Sequence, residues 1–223
     1  MNGGLARLAA WCSSHRHVVL FYTLLVTLGA SPMLTALRFD ADLLQIFLAF
    51  SLLVALFDVP AQGWRIALMV VVAVAAGLQV SPASRVGSGL ASWATVTVTV
   101  VALVAAVSAV RFAMRRGAVT SERIYAGLSA YMLAGVFFGV LHWAIESVWP
   151  GSFAAPGEFR LSTAIYFSFV TLATLGYGDV VPKTDVARGL AILEAVAGQL
   201  YIAVMIARLV GGRLQASERD TSD

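Results

Sequence analysis

Residues 171–179 read Thr-Leu-Ala-Thr-Leu-Gly-Tyr-Gly-Asp, and the fold is worked out from this stretch. It overlaps the end of an apolar run from Leu161 to Leu175, which would reach about 22 Å as a helix. A membrane-spanning helix needs about 20 apolar residues, so this run is too short to cross a bilayer. An apolar half-span followed by glycines predicts a re-entrant helix. Its non-helical backbone must then be buried in protein or line water.

Two glycines, Gly176 and Gly178, occupy alternate positions of this stretch. Successive carbonyl groups can face one axis only if the backbone alternates between left- and right-handed regions, and glycine enters the left-handed region without a Cβ penalty. Tyr177 between them can pack outward. A dehydrated cation is a good partner for such carbonyl groups, and four strands would stack rings of oxygen atoms around it. The stretch therefore predicts a cyclic assembly of four chains; the alternative is a monomer in which these residues form an ordinary glycine turn.

The composition predicts that a bilayer surrounds the chain. Hydrophobic residues make up 60% of its 223 residues, charged residues make up 12%, and the mean hydropathy is +0.86. A soluble fold of this size could not bury so much apolar surface. We expect an all-α membrane protein, with the re-entrant helix between the last two of six transmembrane helices. The six segments are about 18–37, 43–59, 66–80, 90–110, 124–148 and 186–210.

The stretch resembles the selectivity filter of potassium channels, and residues 124–210 resemble the pore module of that family. The resemblance implies a homotetrameric channel that conducts K+ passively and selectively, is not an enzyme, and needs no cofactor or catalytic residue. By that resemblance Asp179 lies at the outer mouth of the filter. The implied K+ ligands are the backbone carbonyl groups of the filter, which runs through Thr174, Leu175, Gly176, Tyr177 and Gly178, together with the Thr174 hydroxyl.

Two positions depart from the usual filter pattern. Leu175 replaces the more usual Val or Ile, and Ala173 stands where many members of the family carry a second Thr or Ser. These departures leave a poorly selective cation channel as an alternative. A secondary cation transporter with a broken-helix site near Glu194 is a further alternative, although transporters often show paired interruptions and one broken segment is present in this sequence.

Four further residues are candidates for support or gating. Gly198 in the sixth span is either a hinge or a packing glycine. Glu194 in the same span should face the bundle, where it either supports the re-entrant helix from behind or is neutralised by protonation. His142 and Glu146 share one helix face at i, i+4, as a structural pair or a pH-sensitive one. Glu146 also resembles an acidic residue that ties this helix to the pore loop in some channels.

The charge distribution predicts orientation and gating. With both termini in the cytoplasm, ten of the 15 basic residues lie on the inner side, as expected for a multi-pass protein of a cell membrane such as a prokaryotic inner membrane. Leu90–Val110 contains no Lys or Arg, so the voltage-sensing arginines of related six-span channels are missing, and weak or absent voltage gating is expected.

The expected parts are a four-helix membrane domain at 1–117, a pore domain at 118–212 and a short cytoplasmic tail at 213–223. The expected partners are lipid, K+ and further copies of the chain. Nucleic acid is not an expected partner, because the sequence contains no dense basic patch.

Overall fold

The structure, a computed structural model, describes residues 16–36, 88–114 and 120–220. These residues are mainly helical. The helices are α1 (Arg16–Ala36), α2 (Ser88–Ala113), α3 (Ser121–Val148), α4 (Leu161–Leu172) and α5 (Asp185–Asp220). Two short strands, β1 (Phe153–Ala154) and β2 (Val181–Pro182), pair antiparallel, with Phe153 opposite Pro182 and Ala154 opposite Val181.

Four of the six predicted spans correspond to described helices. The first falls on α1, the fourth lies within α2, the fifth within α3 and the sixth within α5. The predicted spans at 43–59 and 66–80 lie outside the described residues. By length and composition, two helical segments are able to cross a membrane among the residues described: Ser121–Val148 and Asp185–Gly212. Helix α5 continues to Asp220, so most of the expected tail extends this helix.

The half-span predicted from Leu161 to Leu175 forms a helix that is shorter by three residues. Helix α4 ends at Leu172, and Ala173 is its C-cap. The backbone N–H of Ala173 still donates to the carbonyl of Phe169, at 3.0 Å, but residues 174–176 leave the helical path. The 12 residues of α4 are therefore too few to span a bilayer, as a re-entrant helix requires.

The starts of α3 and α5 follow ordinary capping chemistry. The Thr120 carbonyl accepts hydrogen bonds from the first turn of α3, which also contains Glu122. At α5, the Thr184 hydroxyl oxygen accepts from the N–H of Ala187 at 3.4 Å, and Asp185 occupies the first turn. Hydroxyl caps and acidic residues near a helix N-terminus satisfy free N–H groups and complement the helix dipole. Helix α5 thus begins at a hydroxyl cap, and both helices carry an acidic residue in the first turn.

The described chain divides into two compact units. The first takes in α1, α2 and residues up to Met132 of α3. Here the His17 ring is fully buried and stacks on Phe112, with ring centroids 4.4 Å apart. The Ser129 hydroxyl donates to the His17 carbonyl at 3.4 Å, which joins α3 to α1 within this unit.

The second unit holds α3 from Leu133 onward, the two strands, α4 and α5. Its buried apolar cluster combines residues of the loops with residues of α4 and α5. The members are Phe153, Phe167, Val180, Ala187 and Ala191, with Ile145, Ala155 and Phe159 packed against them. Burial of these side chains removes apolar surface from the surrounding solvent and fixes the short strand pair beside α4 and α5.

Two glycines of α3 let α4 approach closely within this unit. A Cβ atom at Gly139 would lie 2.8 Å from the Cα of Ile165, and one at Gly135 would lie 2.6 Å from the Phe169 ring. Contacts this short do not occur between real atoms. Gly139 must therefore be glycine, because its neighbour is backbone, whereas a larger residue at Gly135 would force the Phe169 ring to move. Their spacing is that of the G-x-x-x-G motif, which brings membrane helices into close contact.

We predict that Gly139→Ala destabilises the protein. The added methyl group meets backbone atoms of α4, which cannot move aside as a flexible side chain can. Overpacking of this kind costs about 1–3 kcal/mol of unfolding free energy. Denaturant unfolding in detergent micelles measures the change.

Gly29→Ala is the matched control, because a Cβ atom at this glycine of α1 has no neighbour within 4 Å. Replacing a helical glycine by alanine in open space is neutral or stabilises by up to ~1 kcal/mol. Equal stability of the two variants would contradict the close approach of α3 and α4.

Candidate functional site

The backbone from Thr174 to Gly178 alternates in handedness. Gly176 and Gly178 have φ values of 59° and 80°, as their alternate positions predict, and Thr174 has φ 57°. Leu175 and Tyr177 are absent from the set of described residues with positive φ. Such alternation is the condition under which successive carbonyl groups can face the same side of a strand.

Thr174 adds a third residue with positive φ to this alternating pattern, and the sequence did not predict it. It is the sole non-glycine residue with positive φ in the described part of the chain. A β-branched residue strongly disfavours the left-handed region, so the surrounding structure must hold Thr174 there. Strained backbone of this kind concentrates at functional sites, which singles out the segment independently of its sequence motif.

The N–H groups at the start of the segment are used by the end of α4. Thr174 donates to the carbonyl of Thr171 at 3.0 Å, and Leu175 donates to that of Val170 at 2.9 Å. Gly176 also reaches Val170, at 3.4 Å. The carbonyl groups of 174–178, by contrast, accept no hydrogen bond from any other described residue. The segment is thus anchored by its donors and keeps its acceptors available.

The side chains of the segment point away from the unit that carries it. Tyr177 is 67% exposed and Leu175 is 56% exposed, although both are large hydrophobic residues. Every residue from Ala173 to Asp179 is exposed in the single chain. A segment with this exposure and unpaired carbonyl groups is the expected form of a surface that faces an ion or another chain.

Asp179 is connected to the pore helix. The Tyr166 hydroxyl of α4 donates a hydrogen bond to Oδ2 of Asp179 at 2.8 Å. The contact fixes the segment at its far end, while the bonds to Val170 and Thr171 fix its start.

Glu146 binds the loop that leads into α4. Its Oε1 accepts from the N–H of Gly151 at 2.8 Å, and its Oε2 accepts from the N–H of Phe153 at 3.0 Å. Gly151 has φ 86°, which allows the chain to turn back toward the carboxylate. Of the alternatives from sequence, this geometry favours a tie between α3 and the loop over a side-chain pair with His142.

His142 contacts Glu194 and not Glu146. Its Nε2 atom lies 2.7 Å from Oε2 of Glu194, and both side chains are fully buried. Glu194 Oε1 is in turn in hydrogen-bond contact with the Ser168 hydroxyl, which lies 2.7 Å from the carbonyl of Gly135. The i, i+4 spacing on α3 therefore did not identify the partner, because the true contact joins residues 52 positions apart.

Gly198 lies against the C-terminal end of α4. A Cβ atom at this position would be 2.9 Å from the carbonyl oxygen of Leu172 and 2.8 Å from its Cδ1 atom. This close approach supports the packing alternative for Gly198, since α5 could not pass α4 here with any larger residue. The hinge alternative is a separate expectation about motion that this geometry does not address.

Sequence reasoning did not single out Tyr166, Ser168 or the pair Gly135 and Gly139. The glycine spacing was a usable signal, because G-x-x-x-G in an apolar helix predicts close helix packing. Ser168 carried a weaker one, as the single serine within the apolar half of α4. Tyr166 carried none, since its partner Asp179 is 13 residues away and in a loop.

Comparison with known proteins finds one family model that matches residues 126–211. These residues match the family model described as ion channel. They cover α3 from Ala126, the loops, α4, the 174–178 segment and most of α5. The described site therefore lies entirely within the match.

Three curated relatives are similar to part of the chain. The inward rectifier potassium channel Kirbac3.1 of Paramagnetospirillum magnetotacticum is 36% identical over 78 residues, which cover 33% of this chain and 24% of that protein. The two pore potassium channel c of Oryza sativa subsp. japonica is 31% identical over 93 residues, covering 41% and 19%. The two-pore potassium channel 4 of Arabidopsis thaliana is 37% identical over 60 residues, covering 27% and 21%.

The matched segment spans about a quarter of the first relative and about a fifth of the other two. No solved structure matches the chain at a significant level. The site thus lies in a segment that matches an ion channel domain, and two of the described helices are long and apolar enough to cross a membrane. All three relatives are potassium channels.

We predict that Glu146→Ala loosens the loop before α4. The substitution leaves the N–H groups of Gly151 and Phe153 without their carboxylate acceptor. Hydrogen bonds to a charged group contribute about 1.5–3 kcal/mol, so unfolding free energy should fall by about that amount. Denaturant unfolding measures the loss, and limited proteolysis between 151 and 160 should become faster.

Glu158→Ala is the control, because Glu158 contacts the side chain of Arg160 at the surface, 2.8 Å away, with both side chains exposed. Exposed ion pairs contribute roughly 0–1 kcal/mol. If Glu146→Ala were no more harmful than Glu158→Ala, Glu146 would not brace the loop.

Proposed function

We propose that this chain is the subunit of a homotetrameric, potassium-selective channel that conducts K+ passively across a cell membrane. The observation that carries the proposal is the 174–178 segment, with its alternating backbone and unpaired carbonyl groups. Carbonyl oxygens in this arrangement replace the hydration shell of a dehydrated cation. The proposed ligands are the carbonyl groups of Thr174, Leu175, Gly176 and Tyr177, with the Thr174 hydroxyl, and Gly178 lets the strand leave the axis.

The direction of α4 supports a cation as the conducted species. Helix α4 ends at Leu172, directly before the filter segment. The C-terminal end of a helix carries a partial negative charge, which stabilises a nearby cation. Asp179, held by Tyr166 at the other end of the segment, adds a carboxylate at the proposed outer mouth.

Four copies are needed because each chain supplies one filter strand. A single strand surrounds an ion on one side, whereas a closed ring of strands supplies oxygens on all sides. Helix α5 also presents large apolar side chains that the other described residues leave exposed, such as Ile192 at 64% and Leu193 at 66% exposure. Lipid and neighbouring subunits are the proposed covers for this surface.

The proposed topology keeps the six-span plan, with both termini in the cytoplasm and the filter loop facing outward. In this plan the region 1–117 forms a membrane domain, 118–212 forms the pore domain, and 213–223 is a cytoplasmic tail. The topology rests on the distribution of basic residues in the sequence. The proposed location is a cell membrane, such as a prokaryotic inner membrane.

Ion flux in liposomes tests the proposed function. Purified protein is reconstituted, and K+ and Na+ fluxes are measured under matched gradients. We expect K+ flux to exceed Na+ flux strongly. Equal fluxes would favour the poorly selective channel, as the Ala173 and Leu175 departures allow, and saturable flux coupled to a proton or sodium gradient would favour a transporter.

Gly176→Ala should abolish K+ conduction in the same assay without loss of assembly. A Cβ atom at Gly176 has no neighbour within 4 Å, so the variant meets no clash. The φ of 59° nevertheless disfavours an L-residue by roughly 1–2 kcal/mol, and in a tetramer four filter strands bear this cost. Gly157→Ala is the control, as this exposed loop glycine has open space and no positive φ. Full conduction by Gly176→Ala would contradict the filter assignment.

We also predict a weak dependence of conductance on voltage. Helix α2 carries no basic residue between Leu90 and Val110, and Arg111 lies in its last turn. Moving one charge across the membrane is worth about 2.3 kcal/mol per 100 mV, so a helix without charges supplies no such energy. Recordings in planar bilayers measure the conductance–voltage relation, and a steep relation would overturn this expectation.

A further inference from the structure

A continuous chain of polar contacts joins the three helices of the second unit behind the filter. It runs from the Gly135 carbonyl of α3 to the Ser168 hydroxyl of α4, then to Glu194 of α5, and returns to α3 at His142. The Ser168, His142 and Glu194 side chains are all fully buried. Every member of this chain must therefore satisfy its hydrogen bonds from the other members.

Ser168 constrains the number of protons shared along these polar contacts. Its hydroxyl has one hydrogen but contacts two oxygen atoms, the Gly135 carbonyl and Oε1 of Glu194. A carbonyl oxygen can only accept, so Ser168 donates to Gly135 if that 2.7 Å contact is a hydrogen bond. The contact between Ser168 and Glu194 then needs a second proton, and a protonated Glu194 carboxyl group supplies it.

The contacts of His142 indicate that its imidazole ring is neutral. Its Nε2 lies 2.7 Å from Oε2 of Glu194, and its Nδ1 is buried without a partner among the described residues. A charged imidazolium would place an N–H at Nδ1 with nothing to accept it, which is costly in a buried site. A neutral imidazole with its proton on Nε2 leaves only an unused lone pair.

The surroundings of His142 also disfavour a charge. The rings of Phe153 and Phe167 lie edge-on to the imidazole, with centroids 5.3 Å and 4.9 Å away. Glu146, one turn further along α3, is engaged elsewhere, because its carboxylate binds the backbone of the loop. Two opposite charges taken into such a place lose more hydration than their attraction returns unless all their remaining groups are paired.

We propose that Glu194 is protonated and His142 neutral, and that with Ser168 they form an uncharged clamp that positions the pore helix α4. In this arrangement Glu194 donates to Ser168, Ser168 donates to Gly135, and His142 donates to Glu194. The clamp acts on the filter through α4, whose last turn anchors Thr174 and Leu175. Glu194 is thus a positioning residue for the conduction proposed above, and its role in conduction rests on that function.

Spectroscopy tests the proton positions without any measurement of transport. Infrared spectra of the wild-type protein at neutral pH should contain the C=O stretch of a protonated carboxyl group, and the band should vanish in Glu194→Gln. The ¹⁵N NMR spectrum of His142 should show one protonated and one unprotonated ring nitrogen. The neutral assignment would be overturned if Glu194→Gln had the same carboxyl band as the wild type, or if both ring nitrogens of His142 were protonated.

Two substitutions at Glu194 test the clamp. Glutamine keeps the neutral pattern, because its amide group can donate to Ser168 while its oxygen accepts from His142, so K+ flux should equal that of the wild type. Methionine fills the space but offers no hydrogen bond, and should reduce flux by roughly tenfold or more through the buried groups left unpaired. Glu158→Met is the control, since Glu158 is exposed.

Hydrogen–deuterium exchange of the α4 amides reads the same clamp independently of conduction. Exchange at 161–172 should be as slow in Glu194→Gln as in the wild type and faster in Glu194→Met. A tenfold loss of flux in Glu194→Gln, or wild-type exchange and flux in Glu194→Met, would overturn the clamp. A wild-type protein that passes no K+ would refute the proposed function, whereas the spectra and the exchange would still decide the state of Glu194.

Discussion

Unpaired backbone carbonyl groups at residues 174–178 are the constraint on which the rest of the structure depends. These carbonyl groups are exposed in the single chain and have no hydrogen-bond partner among the described residues. A helix or sheet would hold its own shape through such bonds, but this strand cannot. Its conformation, including a threonine at φ 57°, must therefore be imposed by the groups around it.

The surrounding groups hold the segment at both ends and from behind. Val170 and Thr171 accept the N–H groups at its start, and Tyr166 binds Asp179 just past its end. All three belong to α4, so the position of the segment follows the position of this one short helix. At 12 residues, α4 has few turns with which to define its own orientation. Its neighbours must supply that orientation.

Glycine residues and buried polar contacts together fix the orientation of α4. Gly139 of α3 and Gly198 of α5 allow the backbones to approach to distances that no side chain permits, and Gly135 makes room for the Phe169 ring. Close approach alone leaves a helix free to slide along its neighbour, because apolar contacts have no direction. The contacts of Ser168 with Gly135 and Glu194 are directional, and they select one position along the helix axis.

The sequence predicted those features whose causes are local. Gly176 and Gly178 revealed the alternating backbone because glycine has a specific conformational freedom at a specific spacing. The short apolar run revealed α4 because membrane thickness sets a length. Thr174 was missed because its left-handed conformation is imposed by contacts and opposed by its own side chain. His142 was matched to Glu146 because helical spacing is visible in a sequence, while the packing of α3 against α5 is not.

Two exposed surfaces of the second unit differ in how strongly they indicate assembly. The exposed apolar residues of α5, such as Ile192 and Leu193, require a cover, but lipid tails and protein satisfy them equally well. The exposed carbonyl groups of the 174–178 segment are different, because hydrocarbon offers no hydrogen-bond donor or cation to them. In the proposed channel, water, ions or other protein must therefore adjoin this strand. The case for a ring of subunits therefore rests on a few polar backbone atoms, and the much larger apolar surface of the chain adds little to it.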